Sequence, residues 1–408
     1  MNDPSVTQSR PGRLAITVLA VCFVMSVVGR GLFASFAVFL LPISETFGWS
    51  RGQIVSVSSL ASLGAALTSP AVGCLFDRCG PRVVYSLGFV VLGGAFLVAA
   101  FAQQLWQFQI CLGLCVGLGA AAVGVVPNSI LLGRWFGSRL STALAVLYFA
   151  PALGALMMLP ASQLLIDCVD WRGAYQVFGG GVLLLLVPLL LLPWKRFSAG
   201  SPDLGNAATA DLRDDGWTLR LASRHRTFWA LFSTFFFTAV GMFSISAQVV
   251  AYIVDAGFSQ LQAAVAGGFS GVTPVFGRFL ILWLDGIIGR RRAVLFSYAL
   301  SIAGIVMLWL LRSYPNMWLL GGFVISFGAT VGSRTPLISA IAIKFFRGKQ
   351  SGMIYGTIIF GAELGTALGS LSGGLIHDLS GGYDCIFVFA LISIMIGMIP
   401  FLIVRDLR

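Results

Sequence analysis

Charged residues are scarce in this chain. Only 10% of its 408 residues are Asp, Glu, Lys or Arg, whereas about 25% is usual in soluble proteins. Hydrophobic residues make up 58% of the chain, and its mean hydropathy is +0.93. So few charges cannot supply the surface of a soluble globule of this size. The composition therefore indicates a protein that crosses a membrane several times.

Histidine is nearly absent, and cysteine is not clustered. The chain has two histidines, His225 and His377, and seven scattered cysteines. Cys111 and Cys115 lie one helical turn apart, but a metal site needs three or four converging ligands. Catalytic Ser/His/Asp or Cys/His sets and phosphate-binding loops are also missing. We therefore expect no metal, no cofactor and no enzymatic activity.

Long apolar runs recur along the whole sequence. Each is about 20 residues or more, enough to cross a bilayer as a helix, and the short alternating segments of a membrane β-barrel are absent. The predicted fold class is all-α, a polytopic membrane protein with twelve transmembrane helices. The predicted spans are 14–42, 54–75, 83–102, 105–132, 142–166, 174–193, 228–254, 261–284, 293–311, 316–343, 352–376 and 384–404.

Basic residues outnumber acidic ones by 26 to 15, and their distribution predicts an orientation. With the N-terminus inside, internal segments hold 20 of the 26, and external segments hold only Arg51, Arg172 and Arg312. By the positive-inside rule, both termini are predicted to be cytoplasmic. The surplus predicts anionic lipid rather than nucleic acid as a neighbour, and we expect a bacterial inner membrane protein. The first span has no cleavage site and is expected to be retained.

One long polar segment divides the spans six and six. It contains SAGSPDLGNAATADLRDDG, which is poor in apolar residues. We therefore expect two six-helix bundles, 1–193 and 228–408, joined by a cytoplasmic linker, 194–227.

Three pairs of markers indicate that the halves are duplicates. Pro127 and Pro336 lie 209 positions apart, and so do Arg82 and Arg291, while Arg134 and Lys344 lie 210 apart. Duplicated helical halves around a central cavity are typical of transporters, whose substrates bind near the middle of the membrane.

The loop GCLFDRCGPR, residues 73–82, follows the second span. Gly73, Asp77, Arg78, Gly80 and Arg82 match the pattern G-x-x-x-D-R-x-G-x-R, so the chain resembles the major facilitator superfamily over its whole length. Gly73 allows close helix approach, Gly80 allows a tight turn, and Asp77 can bind an arginine or a helix N-terminus. The resemblance implies that these contacts lock the cytoplasmic side while the protein is open outward.

The second copy of this loop, DGIIGRRRAV, departs from the pattern. Leu282 replaces the first glycine, and Asp285 lies four residues before Gly289 rather than three. The resemblance therefore does not extend the locking role to the second loop.

Other segments resemble a particular branch, that of monocarboxylate transporters and oxalate/formate antiporters. They are FLLPISETFGWSRGQI, RWFGSRLSTALA, DWRGAYQVFGG and LRLASRHRTFW. The resemblance implies that small organic anions are carried, with a proton or in exchange for another anion.

Three arginines lie within predicted spans: Arg30 in the first, Arg278 in the eighth and Arg334 in the tenth. Of the 15 acidic residues, only Glu363 in the eleventh span is at mid-depth. Each such arginine costs about 2.5–3.5 kcal/mol on insertion scales, which makes it a functional candidate. One carboxylate cannot neutralise three guanidiniums. The surplus of about two positive charges predicts a bound organic anion.

Arg278 is the strongest single candidate. In the monocarboxylate branch an arginine of the eighth helix binds the substrate carboxylate, and VFGRFL resembles that segment. Mammalian members pair this arginine with an aspartate one turn earlier, where this chain has Pro274. Their proton coupling therefore does not transfer to this chain.

Glu363 and Arg30 have alternative roles. Glu363 lies about 200° around its helix from a glycine repeat that predicts a packing face, Gly361, Gly365, Gly369 and Gly373. It is either a proton carrier in the cavity or an ion-pair partner. Arg30 either holds the anion together with Arg278 or pairs with Glu363. Gly29 and Gly31 are expected to loosen the backbone beside it.

These observations predict a secondary active transporter of small organic anions, monocarboxylates or short dicarboxylates, that works by alternating access as a functional monomer. Two alternatives stay open. A proton-coupled drug or metabolite exporter is disfavoured because Gly113 stands where the family's drug antiporters have an arginine. A transporter-like ligand sensor is disfavoured because no signalling domain is appended. The candidate substrate-binding residues are Arg278, Arg30, Arg334, Asn128, Tyr148, Gln248 and Tyr252.

Overall fold

The computed structural model describes residues 12–49, 51–137, 139–200, 217–246, 248–348 and 350–404. These residues form helices and turns without a strand, which confirms the all-α prediction for the described part of the chain. Residues 201–216 of the predicted linker lie outside the described residues, as do both termini, so the division into bundles and the predicted cytoplasmic termini stay predictions.

Twelve long helical segments account for the predicted spans within the described ranges. By length and composition, eight helices are apolar enough to cross a membrane, and two of them, of 44 and 52 residues, are long enough for two crossings each. Short helices, Trp194–Ala199 and Leu219–Ala222, flank the central linker. The long segments are α1, Arg13–Phe47; α2 and α3, which share Arg51–Ala99; α4, Leu105–Gly133; α5 and α6, which share 140–191; α7, 226–255; α8, Gln260–Ile288; α9, Arg290–Leu310; α10, 317–345; α11, Ser351–Ser380; and α12, Asp384–Ile403.

Two glycines turn the chain at equivalent points of the halves. Gly80 (φ 76°) separates α2 from α3, and Gly289 (φ 82°) separates α8 from α9. They lie 209 positions apart, at the same offset as the proline markers. A positive φ is inexpensive for glycine alone, so each residue supplies the reversal that the short loop requires. The turn between two helices thus repeats in the second half at the same offset as the sequence markers.

Helices α4 and α10 are interrupted in matching places. The helix Val116–Ala122 of α4 ends one turn before Pro127, and Val125–Gly133 continues it. In α10, Met317–Thr330 and Thr335–Phe345 are separated by residues 331–334, just before Pro336. Non-helical backbone at membrane depth is tolerated where it is buried in protein or lines a cavity. We therefore expect a substrate-binding cavity near these two breaks.

The helices of the two halves pair in the same way. Helix α1 packs on α5, α2 on α4 and α3 on α6, and correspondingly α7 packs on α11, α8 on α10 and α9 on α12. The glycine stripe of α11 packs on α7, as its spacing predicts. Side chains at Gly365, Gly369 and Gly373 would collide with carbonyl oxygens of that helix.

The backbone beside Arg30 differs from expectation. Gly29 and Gly31 lie in uninterrupted helix within Arg13–Phe47, so they do not loosen it. Instead they permit close contact: a side chain on Gly29 would collide with Val123, and one on Gly31 would lie 2.8 Å from the carbonyl oxygen of Gly154. The two glycines therefore let α1 approach α4 and α5 closely, which fixes the position of Arg30.

Candidate functional site

A central cavity of about 340 Å³ lies between the two halves. Helices α1, α2, α4 and α5 line it from one side, and α7, α8, α10 and α11 from the other. Its wall includes the α10 break, through Val331 and Gly332. Three of the four mid-span ionisable side chains line it: Arg30, Arg278 and Glu363.

Arg278 reaches across the interface between the halves. Its Nη1 donates to the carbonyl oxygen of Tyr148 at 2.7 Å. That carbonyl belongs to the two-residue turn of α5 between Leu140–Leu147 and Ala150–Leu191. The buried Nε of Arg278 has no hydrogen-bond partner, and no bond joins Nη2 to a residue that the structure describes. Nε and Nη2 share the edge of the guanidinium that matches a carboxylate in a bidentate fork.

Arg30 faces the same cavity from α1. Its guanidinium carbon lies 5.1 Å from the centre of the Phe33 ring, and the side chain is half-buried. A further space of about 540 Å³ continues from Arg30 along α1, α2 and α5, away from the Gly80 turn. Among the described residues Arg30 makes no ion pair. In this conformation the pair with Glu363 is not formed, although both side chains line one cavity.

Glu363 lines both the central cavity and a smaller adjoining pocket. It lies off the face of α11 that carries the glycine stripe, so that face packs on α7 while the carboxylate points inward. Within the described part of the chain it has no ion pair or hydrogen bond. It is therefore a half-buried carboxylate, available to a proton, to substrate or to an arginine in another conformation.

Arg334 lies deeper, in the second half. It is 2% exposed, and its Nη2 donates to Ser301 Oγ at 2.7 Å. Its guanidinium carbon lies 4.0 Å from the centre of the Tyr298 ring. The lining of the smaller pocket, about 160 Å³ in volume, includes Arg334 and Glu363. Sequence reasoning missed Ser301 and Tyr298, because nothing in the chain marks which α9 residues face α10.

Tyr148 belongs to both the cavity and its closed end. It lines the cavity, while its hydroxyl lies 3.2 Å from Ser339 Oγ and 3.2 Å from the Tyr355 hydroxyl. The Tyr355 hydroxyl donates to Ser339 Oγ at 2.8 Å. This cluster joins α5 to α10 and α11. Tyr148 therefore links the Arg278 guanidinium to contacts between the halves.

Three other candidates are not brought to the cavity. Asn128 is fully buried, and its side chain bonds Tyr85, Ser26 and the Val123 carbonyl. Tyr252 donates to the Trp309 carbonyl and is 2% exposed. Gln248 begins the short helix Val249–Asp255, with its amide near Gly374. In this conformation the side chains of Asn128 and Tyr252 connect helices to one another.

The cavity is closed at the end that carries the Gly80 turn. The Asp77 carboxylate accepts from the backbone N–H groups of Gly352 and Met353, both at 3.0 Å, at the N-terminus of α11. A side chain on Gly73 would collide with the Gly352 carbonyl. The loop thus makes the contacts that the sequence predicts for Gly73 and Asp77. Of the other motif residues, Gly80 forms the turn, and Arg78 and Arg82 are exposed.

The second loop makes different contacts. Asp285 pairs with Arg290 at 3.9 Å, within its own segment. Arg291 donates to the Phe401 carbonyl at 3.1 Å, at the end of α12. Asp285 makes no bond to the start of a helix of the other half among the described residues. The local sequence difference therefore accompanies a difference in structure.

Comparison with known proteins supports a membrane transporter. The Major Facilitator Superfamily profile matches residues 19–329 and again 273–408. An uncharacterised MFS-type transporter, YcxA of Bacillus subtilis, is 26% identical over 96% of both chains. Monocarboxylate transporter 12-B of Danio rerio is 24% identical over 95% of this chain and 87% of its own. Monocarboxylate transporter 13 of Bos taurus is 26% identical over 91% and 85%.

Solved structures share the fold. The proton:xylose symporter XylE, bound to 6-bromo-6-deoxy-D-glucose, matches with a TM-score of 0.72 and 13% identity over 95% of both chains. The Escherichia coli fucose:proton symporter FucP matches with a TM-score of 0.70 and 16% identity over 95% of this chain and 98% of its own. With the profile match over nearly the whole sequence, the twelve-helix fold and the cavity between its halves, the chain belongs to the Major Facilitator Superfamily and is a membrane transporter, not an enzyme.

Proposed function

We propose that this transporter carries small organic anions and that the carboxylate of the anion binds Arg278 and Arg30 in the central cavity. The observation that carries the proposal is the unpaired Nε–Nη2 edge of Arg278. One side of this guanidinium is fixed by the Tyr148 carbonyl at 2.7 Å, the buried Nε on the other side has no partner, and the residue lines the cavity. An oriented fork of this kind suits a carboxylate. The monocarboxylate transporters among the relatives support the same chemistry.

Charge balance supports an anion rather than a cation. Arg30 and Arg278 face the cavity together with one carboxylate, Glu363. A cationic substrate would add a third positive charge to a cavity whose walls are mostly apolar. This argument disfavours the drug-exporter alternative. Since burying an unpaired charge is costly, an anion is the ligand that this cavity stabilises best.

The mechanism in this proposal is alternating access. The present conformation is closed at the Gly80 end by Asp77 and by the Tyr148 cluster, whereas the opposite end continues into the space beyond Arg30. With the orientation predicted from the basic residues, the closed end is cytoplasmic and the cavity is open outward. Rocking of one six-helix bundle, 1–193, against the other, 228–408, would expose the same arginines inward.

Glu363 is the candidate for coupling. Protonation would remove its negative charge and strengthen the pull of the arginines on a carboxylate, which gives proton symport. If it stays ionised, a second anion must refill the cavity, which gives exchange. The proposal further places a functional monomer in the bacterial inner membrane, with both termini cytoplasmic.

Proteoliposomes test this function. Purified protein is reconstituted, and uptake of labelled lactate, pyruvate, formate and oxalate is measured with and without a pH gradient and with unlabelled anion inside. We expect saturable uptake of at least one anion. Protein-free vesicles and vesicles with the Arg278→Ala variant are the controls. If no anion is taken up or exchanged, the organic-anion proposal is wrong, and binding without movement would favour the ligand-sensor alternative.

A further inference from the structure

A side pocket of about 160 Å³ lies beside the central cavity, mostly between α7, α10 and α11 of the second half, with Val125 and Tyr148 of the first half also in its wall. The two spaces adjoin each other, because Gly332, Thr335 and Glu363 line both. Arg334 lines the side pocket but not the central cavity. The pocket thus places a third arginine beside the central cavity.

The Arg334 side chain is held in place by two contacts, but two of its nitrogen donors make no hydrogen bond. Nη2 donates to Ser301 Oγ at 2.7 Å, and one face of the guanidinium covers the Tyr298 ring at 4.0 Å. Its Nε and Nη1 are buried and have no hydrogen-bond partner. Such a group costs about 1–3 kcal/mol, and more when it is charged. Donors left unbonded beside a pocket therefore call for an acceptor that enters with the ligand.

Other groups of the pocket do not supply that acceptor. Glu363 faces the pocket, but within the described residues it forms no ion pair with Arg334. Thr234 Oγ1 is buried in the pocket wall and lacks a partner as well. The wall of one small space thus contains a hydroxyl and a guanidinium whose buried polar atoms lack partners, a combination that suits an anionic oxygen.

We infer that the side pocket is a second carboxylate subsite and that the substrate is a dicarboxylate. One carboxylate binds Arg278 and Arg30, and the other binds Arg334. This inference rests on the proposed function and narrows its substrate class. With Glu363 ionised, the three arginines leave two positive charges, which a dianion neutralises and a monoanion does not. Phe243, Val331 and Ile359 line both spaces and provide apolar contact for the methylene spacer.

Succinate and butyrate form a matched pair for the test, since they have the same number of carbons and differ in the second carboxylate. Uptake of labelled succinate into proteoliposomes is measured at pH 7.5 with either compound as unlabelled competitor, so that passive diffusion of butyric acid does not interfere. For the unmodified protein we expect butyrate to compete at least about tenfold more weakly. For Arg334→Gln we expect succinate affinity to fall at least about tenfold, and competition by butyrate to be unchanged.

Two outcomes would overturn the inference. Stronger competition by butyrate than by succinate in the unmodified protein would be the first, and an equal loss of affinity for both compounds in Arg334→Gln would be the second. In either case transport of carboxylates still stands. If no carboxylate of any kind moves, the proposed function fails together with the inference.

A second variant covers the case in which Arg334→Gln does not fold. Thr234→Val has the same shape and removes the unpartnered hydroxyl, so we expect it to weaken succinate binding about threefold or more with stability preserved. Thr357→Val is the matched control, because the Thr357 hydroxyl bonds the Met353 carbonyl of its own helix at 2.8 Å and lines neither space. Equal succinate affinities in the two threonine variants would contradict the subsite.

Discussion

At the scale of single residues, partners distinguish the four mid-span ionisable groups. One nitrogen of Arg278 donates to the Tyr148 carbonyl, and the Arg30 guanidinium stacks on the Phe33 ring. Arg334 donates to Ser301 and stacks on the Tyr298 ring. Glu363 forms no ion pair within the described part of the chain. A guanidinium that is oriented yet retains free donors is preorganised for a ligand, because its side-chain entropy is already lost. Arg278 meets this description best.

Replacing Arg278 tests the carboxylate fork. Arg278→Ala removes the charge and both donors, so we expect uptake to fall by about 30-fold or more, in line with the roughly 2–5 kcal/mol cost of truncating one partner of a buried charged pair. Arg278→Lys keeps the charge but not the fork, and we expect partial activity. Uptake in proteoliposomes is the measurement. Arg172→Ala, at the turn between α5 and α6 where Arg172 stacks on Trp171, is the control and should transport normally.

A double-mutant cycle distinguishes the two roles of Arg30, binding the anion or pairing with Glu363. Because their pair is not formed here, we expect Arg30→Gln to weaken substrate affinity and the double variant with Glu363→Gln to show no rescue. Glu363→Gln alone should lose stimulation by a pH gradient and keep anion exchange. Uptake is measured for all four proteins, with and without the gradient. Recovery in the double variant would show instead that the two residues pair during transport.

At the scale of helices, close backbone contact closes one end of the cavity. Gly73 of α2 meets Gly352 of α11, and Gly356 of α11 meets the Ser69 carbonyl. Contacts of this kind require small residues, since a Cβ would occupy the space of a carbonyl oxygen. The Tyr148 cluster adds hydrogen bonds between α5, α10 and α11, through Tyr355, which lies between Gly352 and Gly356 along α11. The closed end is therefore held by close backbone contact and by side-chain hydrogen bonds together.

A larger side chain at Gly73 should hold this end apart. We expect Gly73→Val to destabilise the closed arrangement by about 1–3 kcal/mol through overpacking and to reduce transport strongly. Gly94→Val on α3 is the matched control, because a Cβ there meets nothing within 4 Å. Uptake rates and thermal unfolding of both variants are compared. Normal transport by Gly73→Val would show that the α2–α11 contact is not needed for closure.

Tyr148→Phe removes the hydroxyl but keeps the backbone carbonyl that receives Arg278. We expect substrate affinity to change less than about threefold, while the closed end loses two contacts of 3.2 Å and opens more readily. Binding is measured by the thermal shift with anion, and opening by the distance between spin labels on Arg82→Cys and Arg292→Cys in a background without the native cysteines. A large loss of affinity with an unchanged distance would contradict this division of roles.

At the scale of the whole molecule, Asp77 links two helices of different halves. Its carboxylate accepts two N–H bonds at 3.0 Å at the N-terminus of α11, where the helix dipole favours negative charge. Asp77→Asn should shift the equilibrium toward opening of this end by about 1–3 kcal/mol, roughly 5- to 150-fold. Spin labels on Arg82→Cys and Arg292→Cys, in a background without the native cysteines, should therefore report a longer distance. An unchanged distance distribution would contradict the lock.

Much of the fold is readable from sequence, because crossing a membrane is a local requirement. A run of about 20 apolar residues crosses as a helix whatever its neighbours are. The α4 and α10 breaks are also partly readable, since Pro127 and Pro336 stand at equivalent positions just beyond them. The Asp77 contact is predictable in kind, although its partner, the N-terminus of α11, is 275 residues away in the chain.

The site is only partly readable. Charge counting finds the three arginines and Glu363, because a charge at mid-depth is conspicuous in an apolar run. It does not distinguish Asn128, whose amide is saturated by Tyr85, Ser26 and Val123, from a ligand-binding amide. A neutral polar residue costs little in a helix, so its environment and not its position in the sequence decides its role.

The sequence by itself determined the number of spans, the predicted orientation, the duplication and the inventory of buried charge, since hydropathy and charge act locally along the chain. The tertiary structure alone decided that Arg30, Arg278 and Glu363 line one cavity, that Arg334 lines an adjoining pocket, and that two buried donors of Arg334 lack a hydrogen-bond partner. The direction of each side chain depends on how its helix is rotated about its axis and on where α4 and α10 are interrupted. Contacts between helices that are far apart in the chain determine the rotation of each helix and the position of each break.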